Sequence, residues 1–333
     1  MVPKSGNRFS GKIMLTDNTM AKPVRLLSVG AFTLDTILRV ETLPAHQGKF
    51  IASDGVQIAS GMATSAACAA HRVGAEVSLW ASAGDDPVGD QLIADVEAEG
   101  VDCSLIRRVP GARSALAAIL VDAHGERVIV PFYDKKAQAD PEALPLADLS
   151  GFDAVLVDVR WPGAAALALS AARSIGRPAI LDADTAPVEV LERLLPLASH
   201  IVASEPAARI VCGHALDPES ACADLASRTD AFVAVTGGAA GTWWHDQATG
   251  RVRHVEAPKV KAIDTLAAGD VFHGAFAVGL AEAMPMEEAL RFASAAAALK
   301  CLRFGGRLGA PDRAETLAMM ATHWPPARGG KGS

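Results

Sequence analysis

Short apolar runs punctuate the chain at positions 25–29, 77–81, 154–159, 178–182, 200–203 and 232–236. They carry little polar alternation and are too short for helices, which is the pattern of strands buried on both faces. Each is followed by an Ala-rich or amphipathic stretch of helical period, at 63–73, 89–99, 163–174, 187–195, 219–228 and 271–280. The alternation predicts an α/β fold with a mostly parallel central sheet flanked by helices on both faces. In such folds ligands sit beyond the carboxyl ends of the strands.

Two segments break the rhythm. Residues 36–56 lack a helical period, and 113–133 read as a hairpin around Asp122-Ala123-His124-Gly125-Glu126. Together they predict a small β-sheet that acts as a lid, and a sheet exposed in this way can also pack on a second subunit. Residues 1–23 read as a disordered leader with Met20 as a second candidate start, 24–322 as one domain, and 323–333 as a flexible Pro/Gly-rich tail.

Composition narrows the function. Half of the 333 residues are apolar, enough for a large packed core, and the net charge of -7 disfavours a general nucleic-acid binder. The five cysteines form no C-x-x-C pair, which suits free thiols in a reducing cytosol and disfavours zinc. No apolar run is long enough to cross a membrane. A cytoplasmic protein without membrane or nucleic-acid partners is expected.

The chemistry concentrates in Asp264-Thr265-Leu266-Ala267-Ala268-Gly269-Asp270 and the small-residue helix pattern that follows it. A turn of Ala and Gly at a helix start leaves backbone N–H groups free, and the helix dipole favours phosphate or a developing oxyanion there. Asp270 is open to two readings, a helix cap or a working acid. No G-x-x-x-x-G-K-[ST] loop exists, and the first strand ends in Val29-Gly30-Ala31-Phe32-Thr33-Leu34-Asp35, without the dinucleotide G-x-G-x-x-G. Other polar residues after strands are Gly61, Arg160, Asp182, Asp184, Glu205 and Thr236-Gly237-Gly238-Ala239-Ala240-Gly241. Gly238 and Gly241 fit either close approach of backbone to a nucleotide or a tight strand-to-helix turn.

These residues, in this order, resemble the PfkB (ribokinase-like) carbohydrate kinases from about residue 25 to 311. The family signature D-T-x-G-A-G-D stands here as 264–270, and V-T-x-G-x-x-G as 235–241. The resemblance implies a ribokinase-like fold, ATP and Mg²⁺ as cofactors, and transfer of a phosphoryl group to a sugar hydroxyl. It implies Asp270 as the base, with the backbone of Ala267, Ala268 and Gly269 forming the anion hole, and Asp35 and Gly61 on the sugar. Thr236, Gly238, Gly241, Asp264 and Thr265 would then face the nucleotide, and Glu205 the metal. A monovalent cation beside the 301–309 loop and a homodimer through the lid follow from the same likeness. Two departures stand out: Ala267 replaces a glycine of the signature, and Ser60-Gly61-Met62-Ala63-Thr64-Ser65 lacks the asparagine of the usual G-G-A-x-x-N.

Within the family, Gly48-Lys49-Phe50, Asp158-Val159-Arg160-Trp161, Ser204-Glu205-Pro206 and 298–307 resemble the 6-deoxy-6-sulfofructose kinases. That likeness implies a ketose phosphorylated at C1, with Lys49 and Arg160 clamping the sulfonate; Pro131 replaces the third ligand, an asparagine. Fructose, another sugar or a nucleoside are the other acceptors. A catalytically weak sugar-binding protein on the same fold is the alternative from another class, and a nicotinamide-dependent oxidoreductase is disfavoured by the missing glycine motif.

Overall fold

The computed structural model describes residues 22–213 and 216–325; most of the expected leader and tail lies outside them. Strand β1 (Arg25–Gly30) runs through Ala31 and Phe32 into β2 (Thr33–Arg39), and β3 (Asp54–Ser60) returns to helix α1 (Met62–Arg72). Then come β4 (Glu76–Gly84), α2 (Pro87–Glu97), β5 (Arg107–Val109), β6 (Ala115–Val121) and β7 (Arg127–Phe132). The middle of the chain forms β8 (Ala154–Val157), α3 (Pro162–Ser174), β9 (Ala179–Ala183), α4 (Val188–Leu194), β10 (His200–Ser204), α5 (Glu205–Cys212), α6 (Pro218–Ala226) and β11 (Phe232–Thr236). A hairpin of β12 (Thr242–Asp246) and β13 (Arg251–Val255) precedes helices α7 (Ala268–Ala281), α8 (Met286–Lys300) and α9 (Arg313–His323).

The main sheet has the order β13-β12-β11-β10-β9-β8-β1-β4-β5, parallel from β11 to β5, with the β12–β13 hairpin added antiparallel at one edge. Alternate residues of β1 feed different cores: Leu26 packs with α1, α7 and α8, whereas Leu27 and Val29 pack with α3 and the β8 and β9 side chains. That two-sided burial is why the strands read as continuous apolar runs. β1 lies between β8 and β4, so the strand order reverses there and a crevice opens beyond the carboxyl ends.

The lid is a four-stranded sheet of order β3-β2-β6-β7, in which only the β2–β6 pair is parallel. It starts at Thr33 and reaches Ser60, a few residues wider than the expected 36–56, and 40–53 form no strand. Its inner face buries Ile37, Ile58, Ala117 and Ile119 together with Leu266 from the loop before α7. It docks on the main domain through that loop, as a lid does.

Three helices have no counterpart among the periodic stretches. α5 is one short capped segment, with Ser204 Oγ accepting from the Ala207 amide (3.2 Å). α8 is Ala-rich and buried around most of its circumference, so it has no polar stripe to reveal a period. α9 is announced only by a capping box, Asp312 with Glu315. All five cysteines are free, and among the described residues no helix is long and apolar enough to cross a membrane.

Helix α7 crosses α1 at a glycine for a steric reason. A Cβ on Gly274 would lie 2.3 Å from the Ala66 carbonyl oxygen. Gly274→Ala should therefore push the helices apart and cost about 1–3 kcal/mol; an unchanged urea midpoint would show that this contact does not set their distance.

Candidate active site

At the end nearest the lid, Asp158 organises the backbone. It follows β8, is buried, and accepts from the amides of Ala31 (2.8 Å), Ala63 (2.9 Å) and Arg160 (2.7 Å). One carboxylate thus ties the exit of β1, the start of α1 and the Arg160 loop together. Gly30 leaves room for it, since a Cβ there would sit 2.2 Å from the Asp158 carboxyl carbon. Gly61, at φ 108°, brings α1 against the Ala31 carbonyl, where a Cβ would lie at 2.5 Å. Asp35, on the inner lid face, accepts from Thr33 Oγ1 (2.7 Å), and burial raises its pKa.

The turn before α7 is built for an anion. Ala267 occupies the left-handed region at φ 61°, a conformation that costs an alanine roughly 1–2 kcal/mol. The expected Cβ in a glycine's place is therefore present and strained. The Ala268 amide reaches back to the Thr265 carbonyl (3.3 Å) and that of Val271 to Ala267 (3.0 Å). The amides of Gly269 and Asp270, which donate to nothing among the described residues, are left for a ligand at the positive end of a 14-residue helix.

Behind that turn stands an acid cluster. Burial, then the neighbouring Asp182, push Asp270 well above the usual carboxylate range; burial and Asp184 do the same to Asp182. His273, one turn along α7, is buried with Nδ1 2.7 Å from the Gly269 carbonyl and 3.3 Å from Asp182 Oδ2, and Nε2 3.2 Å from the Val202 carbonyl. Burial lowers its pKa. It braces Asp182 and the anion turn from behind. Arg160 enters the same space, donating to the Thr185 carbonyl (2.8 Å) and to Asp184 Oδ2 (3.2 Å).

Two cavities meet at the turn. One, of about 610 Å³, is lined by Asp35, Gly61, Tyr133, Arg160, Asp182 and Asp270, among others. The other, of about 550 Å³, is lined by Thr236, Gly238, Gly241, Pro258, Phe272 and Cys301 among others; both walls are mainly apolar, and the first, with its acids, is the more polar of the two. Arg127, Thr236, Thr265, Ala268 and Gly269 line both. Gly241 has a close-approach role, since its Cβ would lie 2.3 Å from the Val255 carbonyl, whereas Gly238 faces open space at φ 58°. Asp264 is buried beneath the turn and lines neither cavity.

Besides Asp264, which was expected to face the nucleotide and does not, two expected site residues stand elsewhere. Lys49 is exposed on the 40–53 loop, outside the lining of either cavity. Glu205, at the start of α5, is paired with Arg209 (2.6 Å) and also lines neither. Conversely, Tyr133, Asp158, Asp182 and His273 belong to the site. Asp182 is already among the polar residues that follow apolar strands, and Asp158 stands in the segment that carries Arg160, without a role for either. Tyr133 and His273 carry no such local signal.

The profile described as pfkB family carbohydrate kinase matches residues 24–313. A ribokinase of Haemophilus influenzae is 29% identical over 304 residues, covering 89% of this chain and 98% of the relative. A solved structure from Agrobacterium tumefaciens, provisionally described as a ribokinase, is 48% identical with a TM-score of 0.87 over 90% of this chain and 98% of that one. A Thermotoga maritima ribokinase structure is 26% identical with a TM-score of 0.74, covering 90% and 99%. The match takes in the lid, both cavities and the turn between them, and the chain belongs to the pfkB family of carbohydrate kinases.

Proposed function

We propose that this kinase moves the γ-phosphoryl group of ATP onto a primary hydroxyl of a furanose sugar, with Asp270 taking the hydroxyl proton. The observation that carries this is the position of Asp270: it opens α7, beside two free amides, at the wall of the polar cavity where the apolar one meets it. The apolar cavity suits a nucleotide base, with Thr236, Gly238, Gly241 and Thr265 beside it. The polar one suits a sugar, with Asp35 and the Tyr133 hydroxyl as partners. Phosphoryl transfer asks mainly for alignment and for stabilisation of spread negative charge. The amides of Gly269 and Asp270 supply the second, and a carboxylate of raised pKa is the stronger base once it has lost its proton.

A magnesium ion fits the remaining charge. Among the described residues no group of three or more His, Cys, Asp and Glu side chains could hold a metal alone. Such an ion would be held largely by phosphate oxygens and water with one or two carboxylates. Asp182 and Asp184, which line the more polar cavity, are the carboxylates we assign to it; Glu205, paired with Arg209, lines neither cavity. Bound there, the ion neutralises phosphate charge.

For the acceptor, the anionic-sugar reading, of which 6-deoxy-6-sulfofructose phosphorylated at C1 is the specific form, rests on Arg160, because Lys49 stands outside the cavity. A second reading is a neutral sugar such as ribose, after the ribokinase relatives. Its support is the Arg160–Asp184 pair, which leaves the guanidinium compensated without any substrate anion. We further infer a homodimer through the lid in the cytoplasm. The outer face of the lid exposes Leu38, Leu116, Val128 and Val130, the last at 63%, and a second copy of the same apolar face would cover it.

Three outcomes are expected. Asp270→Asn should lower kcat by at least about 10²-fold and raise Tm at neutral pH. The sign follows from linkage: the folded state holds the Asp270 proton more tightly than the unfolded state, so stability is full below the ordinary aspartate pKa and is lost as pH rises through the raised one. Near-normal turnover would remove Asp270 as the base. Arg160→Ala should raise KM for the sulfonated ketose far more than for ribose or fructose; equal effects would favour the neutral-sugar reading. Val130→Asp should halve the mass seen by light scattering, whereas a wild-type monomer would exclude the lid dimer.

A further inference from the structure

The likeness to the family places a monovalent cation beside the loop that follows α8. That loop and the loop entering α7 are stitched together. The amides of Ile263 and Asp264 donate to the Cys301 carbonyl (2.7 and 3.3 Å), and those of Gly305 and Gly306 to Asp264 Oδ2 (3.0 Å each). Between the two loops lies the Lys300 ammonium. It has no solvent exposure, donates to the Asp264 main-chain carbonyl at 2.6 Å, and lies 3.1 Å from Asp264 Oδ2.

A potassium ion asks of such a place what an ammonium asks: a ring of oxygen acceptors and uncompensated negative charge. Here Asp264 already takes three amides, the third from Leu266 at 2.8 Å, and one full positive charge. Arg127, reaching from β7 to Thr265 Oγ1 (2.8 Å), adds a second positive charge over the same turn. A free cation would therefore meet like charge and a carboxylate with no capacity left. The residues present do not fit the ion.

We propose that the Lys300 ammonium is a built-in monovalent cation: it holds the 264–270 anion-binding turn in its working geometry, and the kinase needs no potassium. Lys300 is thus a positioning residue, acting on the amides of Gly269 and Asp270 through Asp264. The tether keeps the charge in place at any salt composition. Its cost is dehydration, which draws the Lys300 pKa below the ordinary range while Asp264 pushes it back up. The rate part of the proposal rests on the kinase reading above; the binding part does not.

The test compares potassium, sodium and tetramethylammonium chlorides at equal ionic strength, reading both Tm and turnover with ATP and sugar. For the wild-type chain, both should be the same in all three salts. A saturable rise of Tm or rate in potassium alone would overturn the proposal. Lys300→Ala should lower kcat by about 10²-fold, as loss of an oriented anion-hole donor does, and should gain a Tm increment with potassium or ammonium that the wild type lacks. Partial return of kcat with those ions supports the tethered-cation role. A folded Lys300→Ala chain that keeps full turnover and shows no potassium response overturns it. If Lys300→Ala does not fold, the wild-type salt comparison decides alone. If no sugar is turned over, the Tm arm still decides, which separates this proposal from the choice of substrate.

Discussion

The carboxylate of Asp264 is the fixed point on which the rest of the site hangs. It is wholly buried and accepts from Leu266, Gly305 and Gly306 while facing the Lys300 ammonium. Breaking one side of such a pair leaves an uncompensated buried charge, at about 3–5 kcal/mol, so the two loops it joins move as one body. From that point the chain has little freedom: Leu266 drops into the lid core, Ala267 turns left-handed, and α7 begins with its first amides facing the junction of the two cavities. The strain at Ala267 persists because the groups on both sides of it are held.

Asp158 does the complementary work at the other end of the site. It spends its charge on three backbone amides, whereas Asp182 and Asp270 face the cavity with few donors to offset theirs. Acids of one residue type are thereby sorted by environment into a structural member and two whose pKa values are held high. The sorting leaves the polar cavity in want of positive charge. Arg160 supplies some of it but is shared with Asp184, which leaves a place for the phosphate-borne metal proposed above.

Much of this was legible in the sequence, and the remainder was not for physical reasons. Buried parallel strands announce themselves as apolar runs, and the runs at 25–29 and 232–236 coincide with β1 and β11 to within a residue. The turn at 264–270 was legible because a helix start, its free amides and its acid are all local. Lys300 was visible only as one letter of an apolar segment, since its partner lies 36 residues away. Lys49 shows the opposite case: a charge singled out by likeness stands on the exposed 40–53 loop, outside the lining of either cavity. α8 hid its period because nearly every face is buried.

The lid and the anion turn form one mechanical unit. Leu266 is the member of the lid's inner core that comes from the turn, and Arg127 from β7 donates to Thr265, so the sheet cannot swing without pulling on the loop that aims the amides of Gly269 and Asp270. Asp35 sits on the same sheet, paired with Ala117, which in turn pairs with Pro131. On the proposed role of Asp35, a sugar that engaged it would pull on the sheet that packs on Leu266 and carries Arg127. Under that proposal, binding energy from the sugar would be spent on assembling the transfer site, which would favour a hydroxyl over water as the acceptor. Water fills the cavity but holds nothing in place. On this argument the selectivity of the reaction lies in the packing of Leu266 as much as in the groups that touch the substrate.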